Sequence, residues 1–459
     1  MPSKPPRPET AAPAGTGIDA DTIAAVATAP GFGGIGVVRV SGPRVDQVAE
    51  AVAGRRLPPR QAVYCTFRDD HGDALDQGIA LRFPAPRSFT GEDVLELQGH
   101  GGPVVLQLLL DAVLAQGARL ARPGEFTERA FVNGKLDLAQ AEAVADLIAS
   151  ASAAAAQGAL RSLQGEFSRA VLSIDEAVLQ LRVYVEAAMD FPDEGADFLA
   201  EGSVDARLTD IDGALETLLR ESRSGVLLRD GVSIALVGAP NVGKSSLLNR
   251  LAGQERAIVT EIPGTTRDLI HVDLLIDGLP VELVDTAGLR DTADQVELEG
   301  VRRARHQAAQ ADLVLLVQDD RDAAEVPAEL AASPLIVVRN KADLSGAVTG
   351  QLPADAGPKT VRMSARTGDG VDALIGLIKQ TVGFGAEGRT FTARRRHIEA
   401  LKQGAAALGR ARTLLAEGAP AELAAEELRA VHGALGSIVG EMTPDELLGE
   451  IFASFCIGK

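Results

Sequence analysis

Tryptophan is absent from the 459 residues, aromatics make up only 3%, and there are just two cysteines, Cys65 and Cys456. Two cysteines build neither a disulfide framework nor a zinc site of ordinary spacing, which fits a reduced compartment. No run of about 18 apolar residues occurs, so no segment reads as a membrane span. Positive charge is also in short supply: the formal net charge is −19, which excludes a global basic field drawing in nucleic acid. An RNA partner would need a local patch or a second protein. The one dense basic run, Arg394–His397, reads either as a solvated helix face or as an RNA contact. Residues 1–17, rich in Pro, Ala and Gly, lack an apolar signal core and read as a disordered tail. The terminal CIGK ends in Lys, which does not fit a prenylation signal. The expectation is a cytoplasmic chain of about three domains.

What is present is a set of four motifs in order: GAPNVGKS (Gly238–Ser245), DTAG (Asp285–Gly288), NKAD (Asn340–Asp343) and SAR (Ser364–Arg366). A phosphate loop alone suits any nucleotide hydrolase, but it sits here between an apolar strand, Ser233–Ala239, and a helical stretch, Lys244–Gly253. NKAD narrows the base to guanine. The Asp343 carboxylate accepts from the ring N–H and exocyclic amine, Lys341 lies over the base, and the backbone around Ala365 donates to the guanine oxygen. Val281–Thr286, Asp312–Gln318 and Leu335–Asn340 read as further buried strands.

The motifs assign roles. Asn241, Val242, Gly243, Lys244, Ser245 and Ser246 wrap the phosphates at a helix N-terminus, with Lys244 on the β and γ phosphates and Ser245 on Mg2+. GTTRD (Gly264–Asp268) stands where a first switch belongs, so Thr266 completes the Mg2+ shell. Asp285, Thr286, Ala287 and Gly288 meet the metal water and the γ-phosphate. Ras-type GTPases place a water-orienting glutamine after DxxG; Leu289 stands there instead and cannot polarise water. Arg267 and Arg290 are arginine-finger candidates or surface charges. A carbonyl from Asn241, with backbone oxygens near Thr260–Thr265, offers another source of charge: a monovalent cation against the phosphates.

The rest of the chain frames this core. Thr22–Thr28 and Ile35–Ser41 are strands joined by a glycine-rich turn; Gly31, Gly33 and Gly36 match a dinucleotide fingerprint, but a strand follows instead of a helix, so that reading fails. Asp93–Gly102 reads as strand and turn, and Pro103–Gly117 as an apolar helix. From about Leu136 the text turns helical. Leu160, Leu163, Phe167, Val171, Ile174, Val178, Leu181 and Val185 read as one continuous apolar stripe. Helical text resumes near Thr390, with Leu401, Leu408, Leu415, Leu428, Val431, Leu435 and Ile438 as core. The expected fold is multidomain α/β plus all-α. Its parts are a tail (1–17), an N-terminal α/β domain (18–135), a helical-bundle domain (136–229 and 385–459) and an inserted Ras-like P-loop GTPase domain (230–384).

These residues resemble the bacterial tRNA-modification GTPases of the MnmE (TrmE) type. The likeness runs from about Asp21 to Lys459. It rests on DTI…GGIGVVRVSG (Asp21–Gly42), SFTGEDVLELQGHGGP (Ser88–Pro103), the segment Arg122–Ile148, the four GTP motifs and the terminal FCIGK. The resemblance implies an N-terminal tetrahydrofolate-binding domain that dimerises, and a heterotetramer with an FAD-bearing partner of the MnmG (GidA) type. It implies modification of carbon 5 of the tRNA wobble uridine using 5-formyl- or methylene-tetrahydrofolate. It also implies GTP hydrolysis activated by K+ and by pairing of GTPase domains across the homodimer. By motif position, Asn241, Thr260, Ile262 and Thr265 would hold K+, with Glu261, Pro263 and Gly264 in the same nucleotide-facing segment. Glu297 would position the attacking water, acting with Lys244 in catalysis. Arg39, Glu96, Lys135 and Lys459 would contact folate, Glu96 taking the pterin amidine edge and the cations the glutamate tail. Cys456 is a nucleophile or an idle thiol. The alternatives are a GTP-dependent RNA-binding switch and a GTPase whose N-terminal domain serves dimerisation only.

Overall fold

The structure is a computed structural model. It describes residues 21–190, 203–254, 270–285, 311–322, 325–327, 330, 333–353, 358–385, 391–441 and 445–458. The chain forms two compact units: Met1–Ala141 with Thr443–Lys459, and Glu142–Met442.

The first unit holds β1 (Ile23–Val26), β2 (Gly33–Ser41), α1 (Val45–Val52), β3 (Val63–Arg68), β4 (Ala74–Phe83), β5 (Val94–Gly101), α2 (Pro103–Ala115), β6 (Arg119–Leu120) and α3 (Glu125–Val132). The strands form one sheet in the order β3-β4-β5-β2-β1-β6, and the glycine-rich turn joins β1 and β2 as an antiparallel pair. Period-two alternation sends Val38, Val40, Leu95 and Leu97 to one face, where Leu106, Leu109 and Val113 of α2 complete the core. Pro103 sits in the first turn of α2, where its missing N–H costs nothing.

Ile23, Ala25, Ala121 and Phe126 form a second, smaller cluster. Beside it lies a buried charge network. The Arg129 guanidinium, 1% exposed, reaches Asp21 at 2.7 Å, Glu92 at 3.1 Å and Glu125 at 3.2 Å. Arg119 also pairs with Glu125, at 2.6 Å. Burial alone would raise the Glu125 carboxyl. The Arg119 guanidinium, the Arg122 amide and Arg129 outweigh it and hold the group at about 2. The C-terminal helix Asp445–Ala453 belongs to this unit: Phe452 lies against Phe131, ring centroids 6.2 Å apart.

The second unit begins within α4 (Leu138–Ile148). It continues through α5 (Ala153–Leu163), α6 (Glu166–Asp190) and α7 (Ser203–Asp230), and ends with α11 (Arg395–Ala416) and α12 (Ala421–Val439). The expected single stripe is two helices. Gly165, at φ 79°, breaks the chain between α5 and α6, and Leu160 is 44% exposed. From Phe167 to Val185 the stripe is buried as read. Leu415 is half-buried, while the other expected core residues of α11 and α12 are buried.

The basic run turns inward instead of forming a solvated face. Arg396 forks onto Glu142 at 2.7 and 2.8 Å, Arg394 reaches Asp146 at 2.9 Å, and only Arg395 points out, its side chain 79% exposed. The Arg394 N–H donates to His397 Nδ1 at 3.1 Å, so that nitrogen carries no proton and Nε2–H donates to Glu142 at 2.9 Å. The buried imidazole is thus neutral; burial lowers its pKa against the pull of Glu142.

Between α7 and α11 the chain runs through β7 (Val232–Val237), α8 (Lys244–Gln254), β8 (Ile270–Ile276), β9 (Leu279–Asp285), β10 (Leu313–Asp319), β11 (Leu335–Asn340), α9 (Ala342–Ser345), β12 (Gly350–Gln351), β13 (Lys359–Arg362) and α10 (Val371–Val382). The sheet order is β12-β13-β11-β10-β7-β9-β8; the five inner strands are parallel, and β12 and β8 pair antiparallel at the edges. Ile234, Ala235 and Leu236 of β7 are fully buried, as a strand covered on both faces requires.

Because the folded value for Glu125 lies below its ordinary 4.5, its contribution is complete above that pH and is lost as pH falls toward 2. Hydrogen-exchange protection of β1 and α3 amides should fall over that range. Glu125→Gln should lower protection already at neutral pH and flatten the dependence; an unaltered profile would contradict the network's role.

Candidate functional site: a nucleotide pocket at the sheet's carboxyl edge

Parallel strands deliver their carboxyl ends to one edge of the sheet, and β7 is the switch point, with β10 on one side and β9 on the other. The phosphate loop Gly238–Gly243 leaves β7 there and enters α8 at Lys244, so the N–H groups of the first helical turn open onto the loop. Lys244 is buried, and its Nζ donates to the Gly238 and Ala239 carbonyls at 2.6 and 2.9 Å, which places the ammonium inside the loop it follows. Ser245 is exposed on that turn.

Asn340, at the end of β11, ties three loops together. It is 2% exposed. Its Nδ2 donates to the Val242 carbonyl at 2.9 Å, and its Oδ1 accepts from the Ala365 N–H at 2.9 Å. The amide's two polar ends therefore bind the phosphate loop on one side and the SAR loop on the other. Lys341, in the left-handed region at φ 66°, donates to the Asn241 carbonyl at 2.6 Å and to Asp319 at 3.0 Å. The Asp343 carboxylate accepts from Ser364 Oγ at 2.7 Å. Asn340, Lys341, Asp343 and Ser364 thus gather at the ends of β11 and β13, while the Arg366 side chain is 84% exposed. The Ala365 N–H is engaged by Asn340, so a base oxygen would share it or take the Arg366 N–H, both within the backbone expected to donate there.

Three residues of this edge escaped the sequence reading. Asp319 accepts from Arg321 and Lys341, which hold its carboxyl well below the usual range. Asp320 receives Arg362 at 2.8 Å. Arg250 of α8 donates through Nε to the Ala365 carbonyl at 2.9 Å and through Nη2 to that of Arg366. The paired Asp after an apolar strand was a usable signal for the first two; nothing in the sequence marks Arg250.

Part of the expected site lies outside the described residues: Thr260–Thr266, Thr286–Gly288, Glu297 and Lys459. Asp285 is present as the last residue of β9. For the cations, Ser245 and Asn241 remain. Both are exposed and carry a side-chain oxygen, on the phosphate loop and on the first turn of its helix, of the kind that hard cations take as a ligand.

In the first unit, strand register sets Arg39 opposite Glu96. Arg39 Nε and Nη2 both donate to Glu96 Oε1, at 3.1 and 2.9 Å, and the guanidinium lies 5.5 and 5.9 Å from the Phe89 and Phe126 rings. The two residues expected to hold opposite ends of a folate are thus paired with each other. Lys135 is exposed and donates to the Pro86 carbonyl at 3.1 Å.

Comparison with known proteins finds relatives that match 96% of the chain. Residues 22–135 match the family model described as the GTP-binding protein TrmE N-terminus, and residues 138–456 the one described as the MnmE helical domain. A tRNA modification GTPase MnmE of Nitrosococcus oceani is 53% identical over 449 residues, 96% of this chain and 97% of the relative. That of Pseudomonas entomophila is 54% identical over 452 residues, 96% of this chain and 99% of the relative. The chain belongs to the MnmE family of tRNA modification GTPases. Among solved structures, the FeoB G-domain of Methanococcus jannaschii is 28% identical over 33% of this chain and 97% of its own, with a TM-score of 0.25. In this chain the phosphate loop and the SAR loop are held together by Asn340 of the NKAD motif.

Gly243 shows how tight that hold is. Its φ is 99°, and an added Cβ would stand 2.3 Å from Asn340 Nδ2, which is pinned at both ends. Gly243→Ala should weaken GDP binding at least about tenfold, since it strains the backbone and displaces a buried hydrogen-bonding amide. Calorimetric titration reads the effect; affinity within about twofold of the parent chain would contradict the packing argument.

Proposed function

We infer that this GTP hydrolase works in tRNA modification as a potassium-activated enzyme. With a flavin partner of the MnmG (GidA) type it would transfer a tetrahydrofolate one-carbon unit toward carbon 5 of the wobble uridine. The working unit in this reading is a homodimer whose GTPase domains pair, joined with the partner in a heterotetramer, in the cytoplasm. Among the described residues no helix is long and apolar enough to cross a membrane.

The observation that carries the reading is the Asn340 clamp, with Lys341 and Asp343 beside it, because it sets a guanine-selective loop against a phosphate loop. In hydrolysis, water adds to the γ-phosphorus as the bridging bond to the β-phosphate breaks, giving GDP and phosphate. Lys244 meets the phosphate oxygens, and the amides of the first turn of α8 stabilise their charge. Ser245, with Thr266, would hold Mg2+, which neutralises phosphate charge when bound. Asn241, with Thr260, Ile262 and Thr265, would hold K+, which would supply positive charge to the phosphates. Leu289 cannot orient water, and Glu297 is assigned that task. Arg39, Glu96, Lys135 and Lys459 are assigned to folate. The Arg39–Glu96 pair supports this in one respect: Glu96 Oε2 accepts from no described residue and can meet an amidine edge. Within the run Arg394–His397, Arg394, Arg396 and His397 are committed to Glu142 and Asp146, which speaks against the run as an RNA contact.

The deciding experiment compares GTP turnover in potassium and sodium chloride. The parent chain should turn over at least about tenfold faster with potassium. Asn241→Ala should abolish that difference while binding GDP normally. A parent chain indifferent to the cation, or a variant that keeps the preference, would overturn the cation assignment.

A further inference from the structure

Arg250 lies on α8, six positions after Lys244, and is half-buried. Its Nε and Nη2, the parallel donors of one guanidinium edge, meet the carbonyls of two consecutive residues, Ala365 at 2.9 Å and Arg366. In a planar trans peptide the C=O of one residue and the N–H of the next point in opposite directions. Fixing the Ala365 carbonyl against α8 therefore aims the Arg366 N–H away from α8. The loop's other contacts identify what lies on the recognition side: Ala365 N–H meets Asn340 Oδ1 at 2.9 Å, and Ser364 Oγ meets Asp343 Oδ1 at 2.7 Å. Thr367 N–H is held in turn by Ser364 Oγ at 3.2 Å, so the Arg366–Thr367 peptide is fixed at both ends.

We propose that Arg250 is a positioning residue for base specificity, orienting the Arg366 N–H toward the oxygen at purine position 6. It acts through the loop and touches no nucleotide itself. A lysine cannot replace it, because one ammonium does not hold two carbonyls in a fixed plane. The proposal rests on the reading of Ser364–Arg366 as the loop that meets the base oxygen. It separates two parts of guanine recognition: Asp343 reads the amine and ring N–H, and Arg250 governs the reading of the oxygen.

The test uses the full chain and its Arg250→Ala and Arg250→Lys variants, titrated with GDP, 6-thio-GDP and IDP. Sulfur at position 6 is a weak acceptor, while IDP lacks only the exocyclic amine. The parent chain should prefer GDP over 6-thio-GDP about tenfold, the worth of one hydrogen bond in a partly buried site. Both variants should lose most of that preference and keep the preference for GDP over IDP. Retention of the 6-thio discrimination overturns the proposal, as does a parallel collapse of both preferences, which would mark Arg250 as a general structural brace. A parent chain that does not distinguish the two 6-substituents also overturns it, by removing the base-oxygen reading of the loop and not the role of Arg250 alone.

Discussion

The nucleotide edge depends on one buried carboxamide. Asn340 meets two opposite demands at its position: one end of its side chain donates to the Val242 carbonyl and the other accepts from the Ala365 N–H. Aspartate would set a carboxylate against a carbonyl, and an apolar residue would leave both backbone groups buried without partners. Through that bridge the loops after β7, β11 and β13 hold one geometry. Around it Lys341 adds a second tie to the phosphate loop, Asp319 holds Lys341, and Asp320 holds Arg362 of β13. Specificity for a base and affinity for phosphate thus share one fixed frame, which is the preorganisation that electrostatic catalysis of phosphoryl transfer needs.

The same logic of paired, buried charge recurs in both units. Arg129 gathers Asp21, Glu92 and Glu125 in the first. Glu142 gathers Arg396 and His397 in the second, where Asp146 also takes Arg229 and Arg394. Asp146 therefore ties the last turn of α7, where the chain enters the seven-stranded sheet, to the residue that opens α11 after it. Removing a fully buried member, Arg129 or Glu142, leaves buried partners with a charge uncompensated, at about 3–5 kcal/mol. That cost gives the helical text an ordering role that its apolar stripes alone do not supply.

Most of the sheet around the nucleotide was legible because its signals are local. Apolar runs of strand length, a Gly-rich turn and a following helix need no distant partner to be recognised. What escaped was non-local. The break at Gly165 is invisible to a three-and-four spacing that happens to continue across it. The run Arg394–His397 looks solvated until Glu142, more than 250 positions earlier, is placed beside it. Arg39 and Glu96 were each read as ligand-facing, but strand register makes them neighbours, and no spacing along the sequence reveals that. Arg250 resembles any helix-surface arginine until its two carbonyl partners are seen.

Asn340 assembles a guanine-nucleotide pocket from separate loops. Calorimetric titration of GDP and ADP into the full chain and its Asn340→Ala variant, with circular dichroism to verify folding, tests it most directly. The account predicts GDP binding by the parent chain, no measurable ADP binding, and a loss of at least about a hundredfold for GDP in the folded variant. GDP affinity within about threefold of the parent would contradict it.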